Sequence, residues 1–308
     1  MLPVFDAHSD TLFRLLLKRE RLDRNTGHID LARCPAPYAQ FFAFWGYPYH
    51  ELLALFSREV QANESDIVHC RTADDCHAAW QAGKTAAFLS IEGGDMIGCK
   101  VENLVDAYMR DGVRMVGLTW NHANALCGSC RELTELGLTE RGRAFVNKAF
   151  ELGMLVDLSH ASDAAFADTC ELAGACGKPI VCSHSNARAL CGHVRNLTDE
   201  QFTKVRDLGG IVGLNLFPYF INGQAECSLD EAVGHLERWL SLGGEDTIAL
   251  GADWDGCETD EGVRFAGNLK GIDELSGLYD ILYRRNWSEA VMEKLFYRNM
   301  MRVITECC

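Results

Sequence analysis

Eight short apolar runs punctuate this chain, at 3–7, 40–44, 86–91, 115–119, 155–159, 180–183, 211–216 and 248–251, with longer amphipathic stretches between most of them. Such runs read as buried strands and the longer stretches as helices packed over them. Helical patterns cover 101–111, 140–152, 162–173, 198–208 and 229–242. Thr198-Asp199-Glu200-Gln201 has the form of a capping box and predicts a helix start at Thr198. Gly153 and Gly209-Gly210 stand where helices end and the chain turns into the next strand. Repeated strand–helix alternation over 308 residues predicts an α/β fold, a single (β/α)₈ TIM-type barrel domain spanning 1–308. The competing arrangement is an open doubly wound sheet. The first unit is irregular: 14–23 looks helical and precedes a loop with His28 and Asp30. A long helix is expected over 51–63, and 288–306 reads as two extra C-terminal helices covering the barrel.

Composition narrows the function classes. With 48% hydrophobic and 24% charged residues the chain can bury a large core. Its 29 basic and 44 acidic residues give a formal charge of −15, which argues against nucleic acid or an anionic membrane surface as a partner. No basic segment precedes an apolar leader, and no apolar run approaches the length of a membrane span, so a soluble protein is expected. The 14 cysteines read as reduced, mostly buried thiols, and a reducing cytoplasm is the expected compartment. Cys127 and Cys130 form a lone C-x-x-C without a second pair, so no zinc knuckle is expected there. Cys307 and Cys308 are expected at a mobile end open to oxidation.

In a barrel the functional groups belong at the carboxyl ends of the strands. Five of the eight apolar runs end in a histidine or a carboxylate: His8 and Asp10, Glu92, His160, His184, and Asp253. On a strand, residues two apart share a face, so His8 and Asp10 can converge on one cation. Each group alone has a plainer explanation, such as a hydrogen-bonded histidine or a capping carboxylate. Together they do not, because burying several ionisable groups without partners costs several kcal/mol each. Three histidines and two or three carboxylates suit borderline divalent ions, zinc above all. A carboxylate can bridge two metals, and two ions about 3.5–4 Å apart polarise a carbonyl and generate hydroxide near neutral pH. That chemistry predicts a hydrolase.

The same segments carry a family resemblance. Asp6-Ala7-His8-Ser9-Asp10, Ser90-Ile91-Glu92-Gly93, Gly117-Leu118-Thr119-Trp120-Asn121-His122, Val156-Asp157-Leu158-Ser159-His160, Ser183-His184-Ser185-Asn186-Ala187 and Gly251-Ala252-Asp253-Trp254-Asp255-Gly256 resemble, in order and spacing, the membrane (renal) dipeptidase family of zinc-dependent barrel dipeptidases. The resemblance implies two zinc ions per chain, one held by His8 and Asp10, the other by His160 and His184, with Glu92 bridging them. It also implies that Asp253 handles the proton of the attacking water. His122 is implied near the scissile carbonyl, and Arg195, in Val194-Arg195-Asn196, at the substrate's terminal carboxylate. The implied substrate is an unblocked dipeptide, with tolerance for a D-residue at its C-terminal side, and a homodimer stays open.

From the residues alone, an exposed ion pair ranks ahead for Arg195, and a simple hydrogen bond to Asn121 or Asn124 for His122. Asp255 is read as an acceptor that orders its loop, while Asp6 and Asp157 are candidates to support a ligand histidine. His193 is assigned to the surface or the pocket wall, and Trp45 and Tyr47 to the core with some access to the pocket. Fold and metals do not set substrate, so a barrel amidohydrolase or phosphoesterase is the alternative enzyme. A metal- or thiol-binding protein without turnover is the non-enzymatic alternative.

Overall fold

All eight apolar runs become strands. The computed structural model describes residues 2–256 and 263–308. Its strands are β1 (Val4–Ser9), β2 (Tyr38–Phe44), β3 (Ile67–His69), β4 (Thr85–Ile91), β5 (Val113–Gly117), β6 (Leu155–Asp157), β7 (Val181–Cys182), β8 (Ile211–Leu214) and β9 (Ile248–Leu250). The helices are α1 (Thr11–Lys18), α2 (Tyr49–Ala62), α3 (Ala73–Gln81), α4 (Val101–Met109), α5 (Glu140–Leu152), α6 (Asp163–Cys176), α7 (Asp199–Asp207), α8 (Pro218–Ile221), α9 (Leu229–Ser241), α10 (Ser276–Arg284), α11 (Glu289–Glu293) and α12 (Asn299–Cys307). Every strand pairing is parallel, in the order β2-β1-β9-β8-β7-β6-β5-β4, and the β2–β4 pairing closes the ring into an eight-stranded (β/α)₈ barrel. Closure excludes the open doubly wound sheet.

The side chains sort into two layers. Phe5, Phe41, Phe88, Met115, Leu155 and Ile211 belong to the inner layer, whereas Phe42, Leu89, Val116, Val156 and Leu250 pack outward with the helices. Met300, Met301, Val303 and Ile304 of α12 join the inner layer, so the C-terminal helix plugs the barrel. A π-turn, Lys294–Arg298, runs between α11 and α12 with helical dihedrals on both sides, so 288–306 is one nearly continuous rod instead of two separate helices.

Several expectations need correction. The predicted helix at 14–23 starts earlier, at Thr11, and ends at Lys18, where Arg19 turns left-handed (φ 57°). β3 is an addition: three residues long, it pairs with the first half of the β4 edge whose second half meets β5. Its sequence is too short to stand out from its polar flanks. The chain end is not free, because Cys308 donates its thiol to the Gly153 carbonyl at 3.4 Å and both Cys307 and Cys308 are partly buried. The predicted capping box does form: Gln201 N–H donates to Thr198 Oγ1 (3.2 Å) and Thr198 N–H to Gln201 Oε1 (2.9 Å). Every cysteine among the described residues is a free thiol. No helix among the described residues is long and apolar enough to cross a membrane.

Candidate metal centre

The carboxyl ends of β1, β4, β6, β7 and β9 bring His8, Asp10, Glu92, His160, His184 and Asp253 to one mouth of the barrel. For β1 this takes a distortion. Phe5 and Ala7 face inward, so strict alternation would send His8 out toward the helices. Between the pairs Asp6–Gln40 and Ser9–Phe42, two residues of β1, Ala7 and His8, oppose one of β2, Phe41, and this bulge turns His8 back into the mouth. Asp10 lies past the strand, at the N-cap of α1. The pair therefore converges through a bulge and a helix start, not through plain strand periodicity.

Three overlapping sets of ligand atoms result: His8, Asp10 and Glu92; Glu92, His160 and His184; His8, His184 and Asp253. His8 Nε2 lies 3.7 Å from Asp10 Oδ2, 3.8 Å from Glu92 Oε2 and 3.8 Å from Asp253 Oδ1. Glu92 turns its other oxygen, Oε1, to His160 Nε2 (2.8 Å) and His184 Nε2 (3.5 Å). All are buried apart from Asp253, which is partly exposed.

The surrounding hydrogen bonds orient the rings. Asn121 Oδ1 accepts from His160 Nδ1 at 3.1 Å. Ser183 Oγ accepts from His184 Nδ1 at 2.7 Å and passes its own proton to Asp157. Both Nε2 atoms are thereby left as lone pairs, yet they face each other at 3.1 Å. Two acceptors at that separation repel unless a cation joins them. His8 Nε2, Asp10 Oδ1 and Glu92 Oε2 are likewise buried without a hydrogen-bond partner. The proton affinities report the same tension. Burial, and then Asp10, push Glu92 well above the carboxylate range. Burial opposes charge on His8, but Glu92, Asp10 and Asp253 overcome it and raise it to about 10. Burial, then neighbouring positive charge, holds His160 and His184 well below 6.5. The donor set fits divalent cations.

Around this floor lies a cavity of about 500 Å³, with aromatic walls that include Trp45, Trp120, Phe217 and Phe220. Arg195 lines it and is only 2% exposed; Nη2 donates to the His184 carbonyl at 3.3 Å, while Nε and Nη1 have no partner. The exposed ion pair considered for Arg195 is thus ruled out. His122 is not brought to the cluster. Its side chain is 78% exposed and Nδ1 sits 3.3 Å from Glu132, with Trp120 in ring contact with both His122 and His160. Neither Asn121 nor Asn124 is its partner. Tyr47 lies in the neighbouring groove with His122, not in the cavity.

Supporting residues fall close to their expected places. Asp6 accepts from the backbone N–H groups of His8 (3.0 Å) and Ala252 (3.2 Å), not from the imidazole, and burial lifts its pKa to about 6. Asp157 reaches His184 through Ser183. Asp255 accepts from Thr11 Oγ1 and His28 N–H, both at 2.7 Å, and ties the β9 loop to the first unit. Sequence reading passed over Asn215, whose Nδ2 donates to Asp253 Oδ2 at 3.0 Å, since a lone asparagine carries no signal. Asn121 and Ser183 stood within the family segments and could have been singled out as histidine partners. Arg131, also in the cavity wall, was missed as well.

A parallel barrel with this donor cluster at its carboxyl face defines the class, a barrel metalloenzyme. Residues 1–307 match the model of the membrane dipeptidase family, Peptidase family M19, and the chain belongs to that metallopeptidase family. An uncharacterized protein from the pqqA 5′ region of Klebsiella pneumoniae is 30% identical over 262 residues, 82% of this chain and 93% of its own. The metallo peptidase from Rhodobacter sphaeroides, liganded with a phosphinate mimic of the dipeptide L-Ala-D-Ala, superposes with TM-score 0.85 and 25% identity over 100% of this chain and 99% of its own. Dipeptidase AC, also of family M19, does so with TM-score 0.86 and 26% identity over 99% and 98%.

Proposed function

We propose that the protein is a zinc-dependent dipeptidase acting on unblocked dipeptides, with two ions at the barrel mouth and Glu92 shared between them. The divided surroundings of Glu92 support this most directly: Oε1 faces His160 and His184, whereas Oε2 faces His8, in one ligand set with Asp10. His8 and Asp10 would hold one ion, His160 and His184 the other, and a nitrogen–oxygen set of this kind suits zinc. When bound, such ions polarise the scissile carbonyl and acidify water.

The chain's own groups supply the rest. Asp253, held by Asn215 and with its proton affinity raised by burial, would accept the proton of the attacking water and return it to the leaving amine. Arg195 offers two unpartnered nitrogens to the terminal carboxylate, in a cavity that strengthens the charge-assisted bond. His122 would leave Glu132 to donate to the developing oxyanion, a rim group moving in on the substrate. Tolerance for a C-terminal D-residue is supported by the L-Ala-D-Ala mimic in the Rhodobacter relative.

The test is metal analysis with a panel of L,L- and L,D-dipeptides. Two zinc ions per chain and dipeptide hydrolysis are expected. Glu92→Gln should lower turnover by more than the roughly 10–100-fold typical of residues that merely support ligands. Unchanged turnover with full zinc in that variant would remove the bridging role.

A further inference from the structure

The cavity is polarised. Asp10, Glu92 and Asp253 line its floor, and two arginines, Arg195 and Arg131, line the wall. Arg195 is accounted for by one carboxylate. In a chain of charge −15, carboxylates for surface arginines are plentiful, and Arg188, Arg206, Arg238 and Arg285 each hold one. Arg131 is exposed at the mouth, and its guanidinium makes no ion pair or hydrogen bond with any described residue.

Its backbone, by contrast, is tied to the metal centre. Cys130 N–H donates to the His160 carbonyl at 2.9 Å. Ser129 Oγ accepts from Arg131 N–H (3.2 Å) and donates to the carbonyl of Asn121 (2.8 Å), the residue that orients His160. Arg131 and Arg195 also act on shared neighbours: burial, then the charges of Arg131 and Arg195, push His193 down to about 4. Both guanidinium groups thus line one cavity, with His193 also in its wall.

Two cations lining a dipeptide site call for two anions. We infer that the substrate class is dipeptides with an acidic C-terminal residue, its terminal carboxylate at Arg195 and its side-chain carboxylate at Arg131, an inference that rests on the dipeptidase reading above. A planar guanidinium matches a carboxylate in two parallel hydrogen bonds, and the aromatic walls exclude competing water.

Ala-Glu and Ala-Gln, with either L or D second residues, are nearly isosteric and differ in charge. The zinc-loaded wild type should favour Ala-Glu in kcat/KM by about tenfold, the scale of one charge-assisted hydrogen bond, and the margin should shrink with added salt. Arg131→Met should cost Ala-Glu about tenfold more than Ala-Gln. Calorimetry gives a readout without turnover: free glutamate should bind more tightly than glutamine to the wild type, with the difference lost in Arg131→Met. Equal efficiency on both dipeptides, or a preference that survives Arg131→Met, overturns this inference alone. Hydrolysis of neither dipeptide overturns the dipeptidase reading, and this inference with it.

Discussion

Gly256 shows how little room the metal centre leaves. A Cβ there would stand 2.5 Å from Asp253 Oδ1 and 2.8 Å from Asp10 Oδ2, so any side chain displaces two carboxylates at once. Gly256→Ala should lose bound metal and dipeptide turnover while its circular dichroism and melting temperature stay near wild type; undiminished metal content would show that the carboxylates can give way. Asp253 itself sits at φ 66°, a left-handed conformation uncommon for a non-glycine residue, and its hydrogen bond from Asn215 holds the carboxylate in place. For Arg195 the expectation is a loss in binding. Arg195→Ala should raise KM for dipeptides by the equivalent of about 1.5–3 kcal/mol, with a much smaller effect on an analogue whose C-terminal carboxylate is amidated. Similar losses on both would move Arg195 from substrate contact to structural support of the His184 carbonyl.

Elements deliver these residues, and they do so by departing from regularity. Capping Thr198, the glycine after α5 and the alternation of apolar and amphipathic segments were all legible, because caps and turns are local chemistry. The bulge in β1 was not: it exists only as a mismatch with β2, which no single strand records. β3 was missed for a related reason, since three residues make a strand only when β4 offers an edge. Inside the barrel, Phe88 stacks near Phe5 and Phe41 with ring centroids 5.3 and 5.2 Å away, linking β4, β1 and β2 where the ring closes. Phe88→Ala should cost about 3–5 kcal/mol in denaturant unfolding. A loss below 1 kcal/mol would mean that the inner layer collapses around the gap.

At the scale of the whole molecule, pH acts through groups far from the mouth. Burial, then the charge of Arg71, lowers the pKa of His69 from 6.5 to about 4. Between those values the unfolded chain binds the proton that the folded one refuses, so stability rises with pH from about 4 to 6.5 and is flat above for this group. In His69→Gln the stability–pH curve should lack that part of its acid limb; identical curves would assign the limb to other residues. The barrel and its donor inventory were written in the chain, because hydrophobic periodicity and the residue ending each run are local properties. His8, Asp10, Glu92, His160, His184 and Asp253 could be named in this way, and so could their suitability for a metal ion. Tertiary structure decided what no periodicity contains. Closure through β2–β4 set the separations, the β1 bulge aimed His8, and the loop after β5 left His122 exposed beside Glu132. Placement of Arg131 in the wall of the cavity that Arg195 lines came from a loop hydrogen-bonded to His160, past the end of β6. Distance and orientation between remote residues arise only when strands share edges and loops share hydrogen bonds, and a linear pattern encodes neither.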